Sequence, residues 1–79
     1  MTVSEILEVI KSLQDDTTVA KNVKLKLDKI KEILSENKEM SIKVNKALQE
    51  LEFTSEDVNV DQYTRGQIWN IVSLLEGLP

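Results

Sequence analysis

The sequence predicts an all-α protein, folded as an up-and-down antiparallel four-helix bundle. Three observations carry that prediction. Apolar residues recur at spacings of three and four through four separate stretches. The 79 residues include only two Gly and one Pro, too few for the many turns of a β-sandwich. Leu, Ile, Lys and Glu abound, and they favour helix. With 41% apolar and 30% charged residues, the composition is that of a globular domain. A chain this short is expected to make one domain, residues 1–79, and to bury roughly 60% of the surface it exposes unfolded.

The first helix is expected over residues 3–14. Val3, Ile6, Leu7, Ile10 and Leu13 fall on one stripe, and Thr2 followed by Glu5 fits a capping box. Asp15-Asp16-Thr17-Thr18 interrupts it, with Thr17 or Thr18 available to cap the next helix. That second helix, 19–35, carries Val23, Leu27, Ile30 and Leu34 inward, with Val19 and Ile33 beside them. Ser35-Glu36-Asn37 breaks it. The third helix, 41–52, groups Met40, Val44, Ala47, Leu48 and Leu51; the polar stretch from Phe53 to Asn59 reads as a loop. The fourth, 61–76, turns Thr64, Ile68, Ile71, Val72 and Leu75 inward and is expected to stop at Gly77, in the left-handed region, and at Pro79.

Three segments open alike: Val19-Ala20-Lys21-Asn22-Val23, Met40-Ser41-Ile42-Lys43-Val44 and Val60-Asp61-Gln62-Tyr63-Thr64, at offsets of 21 and 20 residues. HEAT and armadillo units run to about 40 residues, so a two-unit helical repeat of that kind is the competing architecture. Short connections favour antiparallel neighbours and therefore the closed bundle.

Composition excludes much chemistry. There is no Cys and no His, which removes disulfides, zinc fingers, thiol nucleophiles and His-based triads. Asp57-Val58-Asn59-Val60-Asp61 has the start of a calcium loop. Gln62 and Ile68 stand where an EF-hand needs its Gly and its bidentate acid. Asn59 or Asp61 reads instead as a helix cap. The acid pairs Asp15/Asp16 and Glu36/Glu39 and the trio Glu56/Asp57/Asp61 lie in expected connections, where carboxylates cap helices or face water. No catalytic site, cofactor or metal is expected. The longest apolar run is two residues, so nothing is expected to span a membrane. Met1 leads into a polar helix start without the pattern of a signal peptide, and a cytoplasmic protein is expected.

Asp16-Thr17-Thr18-Val19, the Val44-Asn45 start of the third helix, and above all Thr64-Arg65-x-x-Ile68-Trp69-Asn70-Ile71-Val72-Ser73-x-Leu75-Glu76 resemble a small archaeal family. It is known as uncharacterised protein family 0147. The resemblance covers essentially the whole chain and implies a short, all-helical, cytoplasmic archaeal protein. It supplies no activity or ligand.

The surfaces remain. Net charge is −4, distributed as −3 over residues 1–20, +4 over 21–46 and −5 over 47–79. Lys21, Lys24 and Lys31 share the outer face of the second helix, with Lys43 and Lys46 on the third. They form the basic face that a nucleic-acid-associated protein would use. Against that use, Asp28 sits inside the face within pairing distance of Lys24 and Lys31, and no aromatic is interleaved for base stacking.

On the fourth helix Gly66, Asn70 and Ser73 form a strip of small or polar residues, with Tyr63 and Leu74 on the same side. Leu25, Ile42 and Phe53 also lie off the inward stripes. Trp69 is expected to close the bundle edge under a stacked Arg65, which stands four residues earlier, or else to anchor an interface. On the stacking reading, Arg65→Ala leaves the fold intact. The expected function is a non-enzymatic protein–protein interaction or assembly module, a homodimer included. Its contact surface is Tyr63, Arg65, Gly66, Trp69, Asn70 and Ser73.

Overall fold

A computed structural model describes residues 2–78. It holds four helices: α1 (Val3–Gln14), α2 (Lys21–Ser35), α3 (Met40–Ser55) and α4 (Gln62–Glu76). Each packs on its neighbour in the chain, and α1 closes against α4. The architecture is thus a closed up-and-down bundle rather than an open pair of stacked repeats. Its core is aliphatic: Ile6, Ile10, Leu27, Ile30, Leu51, Ile68, Ile71 and Leu75 are all but inaccessible to water. Burial of such side chains stabilises the fold by roughly 1.5–3 kcal/mol each.

The helix ends show how local chemistry sets the bounds. At α1 the Thr2 hydroxyl accepts from the Glu5 N–H at 3.2 Å and the Glu5 carboxylate accepts from the Thr2 N–H at 3.0 Å, the expected capping box. Helix α2 begins at Lys21, two residues later than its apolar spacing suggests. Neither Thr17 nor Thr18 caps it; Ala20 holds the cap position without a side-chain bond. The Thr18 N–H and hydroxyl instead donate to Asp16 Oδ1 at 2.9 and 2.7 Å. Val19 stays buried although it lies in the loop.

The clearest departure is at α3, which runs on to Ser55 through residues whose polarity suggests a loop. Thr54 and Ser55 are buried because their hydroxyls donate to the Glu50 and Glu52 carbonyls of their own helix, at 2.8 and 2.7 Å. Met40, expected on the inward stripe, is exposed, while Leu74, expected outward, packs partly against the core. Asp61 caps α4 by accepting from the Thr64 N–H at 3.3 Å. Gly77 ends α4 with φ of −83°, so its left-handed freedom is not used. Pro79, the other expected stop, lies outside the described residues.

The repeat hinted at by the sequence resolves into two halves rather than three segments. Helix α4 is α2 displaced by 41 residues at both ends, and Ser55 ends α3 as Gln14 ends α1, at the same displacement. The two hairpin loops match as well. Asp57 Oδ1 accepts from the Asn59 N–H at 2.9 Å, as Asp16 Oδ1 does from Thr18. Val60 donates to the Asp57 carbonyl at 3.1 Å, as Val19 donates to that of Asp16 at 3.2 Å. Val60, like Val19, plugs the end of the bundle. Met40, the start of the second of the three similar segments, is exposed and has no such role.

Candidate interaction surfaces

The outer stripe of α4 is built from Gln62, Tyr63, Gly66, Trp69, Asn70 and Ser73, all exposed. At 100° per residue they share one face, opposite the buried Ile68, Ile71 and Leu75. Trp69 keeps 48% and Tyr63 51% of their surface in water. Trp69 is thus about half covered by the bundle and half free for a partner. None of these six side chains is charged. The matching stripe of α2 in the other half is Lys21, Asn22, Leu25, Asp28, Lys29 and Glu32, the ordinary solvated face of a surface helix. Gly66 adds a second anomaly. A Cβ built on it would meet nothing within 4 Å, and its φ is not positive. Packing within the chain does not ask for glycine there, yet Gly inside a helix costs about 1 kcal/mol relative to Ala.

Arg65 does not belong to this surface. Its guanidinium turns away from Trp69 and donates from Nε to the Ser55 carbonyl at 2.9 Å. From Nη2 it donates to those of Asp57 and Val60 at 3.0 and 3.1 Å. It satisfies the Ser55 carbonyl, which the end of α3 leaves without a helical partner, and pins the hairpin loop through Asp57 and Val60. The expected stacking on the indole is absent, and Arg65 is structural. In the first half Gln14 does related work, donating from Nε2 to the Lys24 carbonyl at 3.1 Å and to Asp28 Oδ1 at 2.8 Å.

Two of the five lysines of the basic face are paired within the chain. Lys31 donates to Gln14 Oε1 at 3.0 Å and lies 3.9 Å from Asp28; Lys46 lies 3.4 Å from Glu36. The hydrogen bond from Lys29, with Lys26 beside it, holds the Glu50 carboxyl below its ordinary range despite some burial. Lys21, Lys24 and Lys43 make no ion pair among the described residues. Three cations spread over two helices are few for phosphate recognition. Among the described residues no three acids gather to hold a metal, and no helix is long and apolar enough to cross a membrane.

One feature escaped the reading of helical stripes. A groove of about 620 Å³ runs between α1 and α4, lined by Glu5, Glu8, Val9, Ser12, Asp16, Tyr63 and Gln67 with Leu13 at its floor. Across its end the Tyr63 hydroxyl donates to Asp16 Oδ2 at 2.9 Å. That bond raises the phenol's pKa, while bonds from Thr18 and then from Tyr63 lower that of Asp16. Displacing the sequence by 41 residues would have pointed to it, because it sets Ser12 opposite Phe53.

With this geometry in view, the profile of one family, the uncharacterised protein family UPF0147, matches residues 1–78. The chain belongs to UPF0147. A UPF0147 protein of Archaeoglobus fulgidus is 38% identical over 72 residues, 91% of this chain and 83% of that one. Another, of Methanocaldococcus jannaschii, is 39% identical over 80 residues, 95% and 86% of the two chains. A crystal structure of a UPF0147 protein from Thermoplasma acidophilum superposes with a TM-score of 0.89 at 30% identity, covering 96% of this chain and 91% of that one. A second crystal structure, of a protein of unknown function, gives 0.86 at 36% identity, covering 96% and 88%. The UPF0147 fold is therefore the four-helix bundle described above, and the family name carries no activity.

Proposed function

We propose that this UPF0147 protein is a small, non-enzymatic assembly module of the cytoplasm that pairs with a second copy of itself through the outer face of α4. The observation that carries the reading is the uncharged stripe from Gln62 to Ser73, set against its charged counterpart on α2. A face without charge needs no oppositely charged partner, and it carries both a protrusion, Trp69, and a gap, Gly66, one turn apart. Two such faces related by a two-fold axis supply each other's complement, the requirement of an isologous contact. Aromatic residues flanked by small ones also suit the centre of an interface.

Gly66 provides the test, since a side chain there meets nothing within the monomer. Wild-type protein is expected to elute with light scattering at twice its 9.0 kDa chain mass. Gly66→Lys is expected to remain helical and to run at the single-chain mass. A wild-type chain that stays monomeric from low micromolar to millimolar concentration overturns the reading.

A further inference from the structure

We propose that the groove between α1 and α4 docks a foreign polypeptide segment presenting an aromatic side chain beside a basic one. The evidence is internal to the fold and independent of α4 pairing. The two halves are related by a 41-residue displacement, so the α1–α4 groove has a counterpart between α3 and α2. There Ser12 is replaced by Phe53, Gln67 by Lys26 and Val9 by Glu50.

In that counterpart Lys26 Nζ lies 5.6 Å from the Phe53 ring centre and 3.4 Å from Glu50. The ring and the lysine divide the space into a pit of about 90 Å³ and a shallow depression of about 350 Å³. The α1–α4 groove lacks both groups and stays open as one space of about 620 Å³. Its wall offers Val9 and Leu13, while Glu5, Glu8 and Asp16 stand on it with no basic side chain among the lining residues. What the groove lacks, relative to its twin, is one aromatic ring and one cation. Helical segments that seat an apolar anchor in a groove and set a charge at its rim recognise partners in this way.

A second copy also carries this pair, as its own Phe53 and Lys26, but on the opposite side of the bundle. Seating it would join copies head to tail, a heterologous contact that builds rings or open chains instead of a two-fold dimer. A foreign segment saturates the groove instead.

The test titrates the full-length, 15N-labelled protein with a synthetic helical peptide carrying Phe and Lys four residues apart. A control peptide carries Ser in place of Phe. The expected result is saturable shifts at Val9, Ser12, Leu13 and Gln67, with affinity at least about tenfold weaker for the control. Ser12→Phe, which fills the groove as the twin is filled, is expected to abolish binding. Should that variant fail to fold, Glu8→Lys, an exposed change, is expected to weaken binding about tenfold. Equal binding of both peptides overturns the proposal, as do shifts confined to the outer face of α4 or binding undiminished in the variant that folds. Head-to-tail oligomers of the wild type that disappear in Phe53→Ser also overturn it, by assigning the groove to a second copy.

Discussion

Thr64 is the one buried polar side chain whose hydroxyl finds no partner among the described residues. It is 1% exposed, on the inward stripe of α4. Neither its own helix nor the neighbouring helices bring a polar group within hydrogen-bond geometry of it. The equivalent position in the first half, 41 residues before, is Val23, buried to the same degree among aliphatic neighbours. Thr64→Val therefore substitutes the residue that the fold already uses at this place. Val keeps the β-branch and nearly the same volume, and its helix propensity is close to that of Thr. A buried hydroxyl without a partner costs about 1–3 kcal/mol. Taking the lower end, because the neighbours can shift slightly around the hydroxyl, gives a gain of about 1 kcal/mol. In a domain of this size that raises Tm by about 4–8 °C. Urea melts should show a higher midpoint at an unchanged m-value, since the surface exposed on unfolding is the same. An unchanged or lower midpoint would mean that the Thr64 hydroxyl is bonded in solution, and the comparison with Val23 would then fail.

Two further outcomes follow from the caps and loops. Arg65→Ala should lower stability by about 2 kcal/mol, since three carbonyls lose a charged donor; Arg65→Lys should recover less than half of that in urea melts, because an ammonium cannot span the three with one planar fork. The second concerns acid. Folding lowers the carboxyl pKa of Glu5 through its bonds to Thr2, of Asp16 through those from Thr18 and Tyr63, and of Glu50 through its lysines. The stabilisation is then fully present above the ordinary carboxylate range and is lost as pH falls through the lower, folded values. Urea midpoints at about pH 7 and about pH 3 should differ less in Asp16→Asn than in the wild type, and an unchanged difference refutes the role given to Asp16.

The helices were legible because their apolar stripes recur at the helical period. The capping box at Thr2 and Glu5 and the Asp61 cap were legible because the chemistry is local. What failed was polarity taken as a sign of loop. Thr54 and Ser55 satisfy their hydroxyls on carbonyls of the same helix, so they can be buried at its end, and nothing in their composition distinguishes this from a solvated turn. The stacking of Arg65 on Trp69 failed for a related reason. Side chains four residues apart can meet on a helix, but the carbonyls of Ser55, Asp57 and Val60 compete for the same guanidinium, and three hydrogen bonds outweigh one exposed stack worth about 0.5–1 kcal/mol. The groove between α1 and α4 lies between helices distant in sequence, where spacing within either helix says nothing.

The two halves also separate what the fold requires from what it leaves free. They agree at Val3 and Val44, Leu7 and Leu48, Asp16 and Asp57, Val19 and Val60, Ile30 and Ile71, and Leu34 and Leu75. These residues are buried or partly buried, in the core or at the loop hinges. Agreement there is what two superposable hairpins need. The halves differ on the outer stripe, where α2 has Leu25, Asp28, Lys29 and Glu32 and α4 has Gly66, Trp69, Asn70 and Ser73. They differ again in the grooves, where Phe53 and Lys26 of one correspond to Ser12 and Gln67 of the other. Since α2 serves the bundle with a charged outer face, the bundle does not dictate an uncharged one on α4. Since the α2–α3 groove is occupied, packing does not dictate an open one between α1 and α4. Both departures fall on or beside the same helix, with Tyr63 at their common edge. The surface chemistry that sets this chain apart from a plain pair of helical hairpins therefore lies on the outer face of α4 and along its seam with α1.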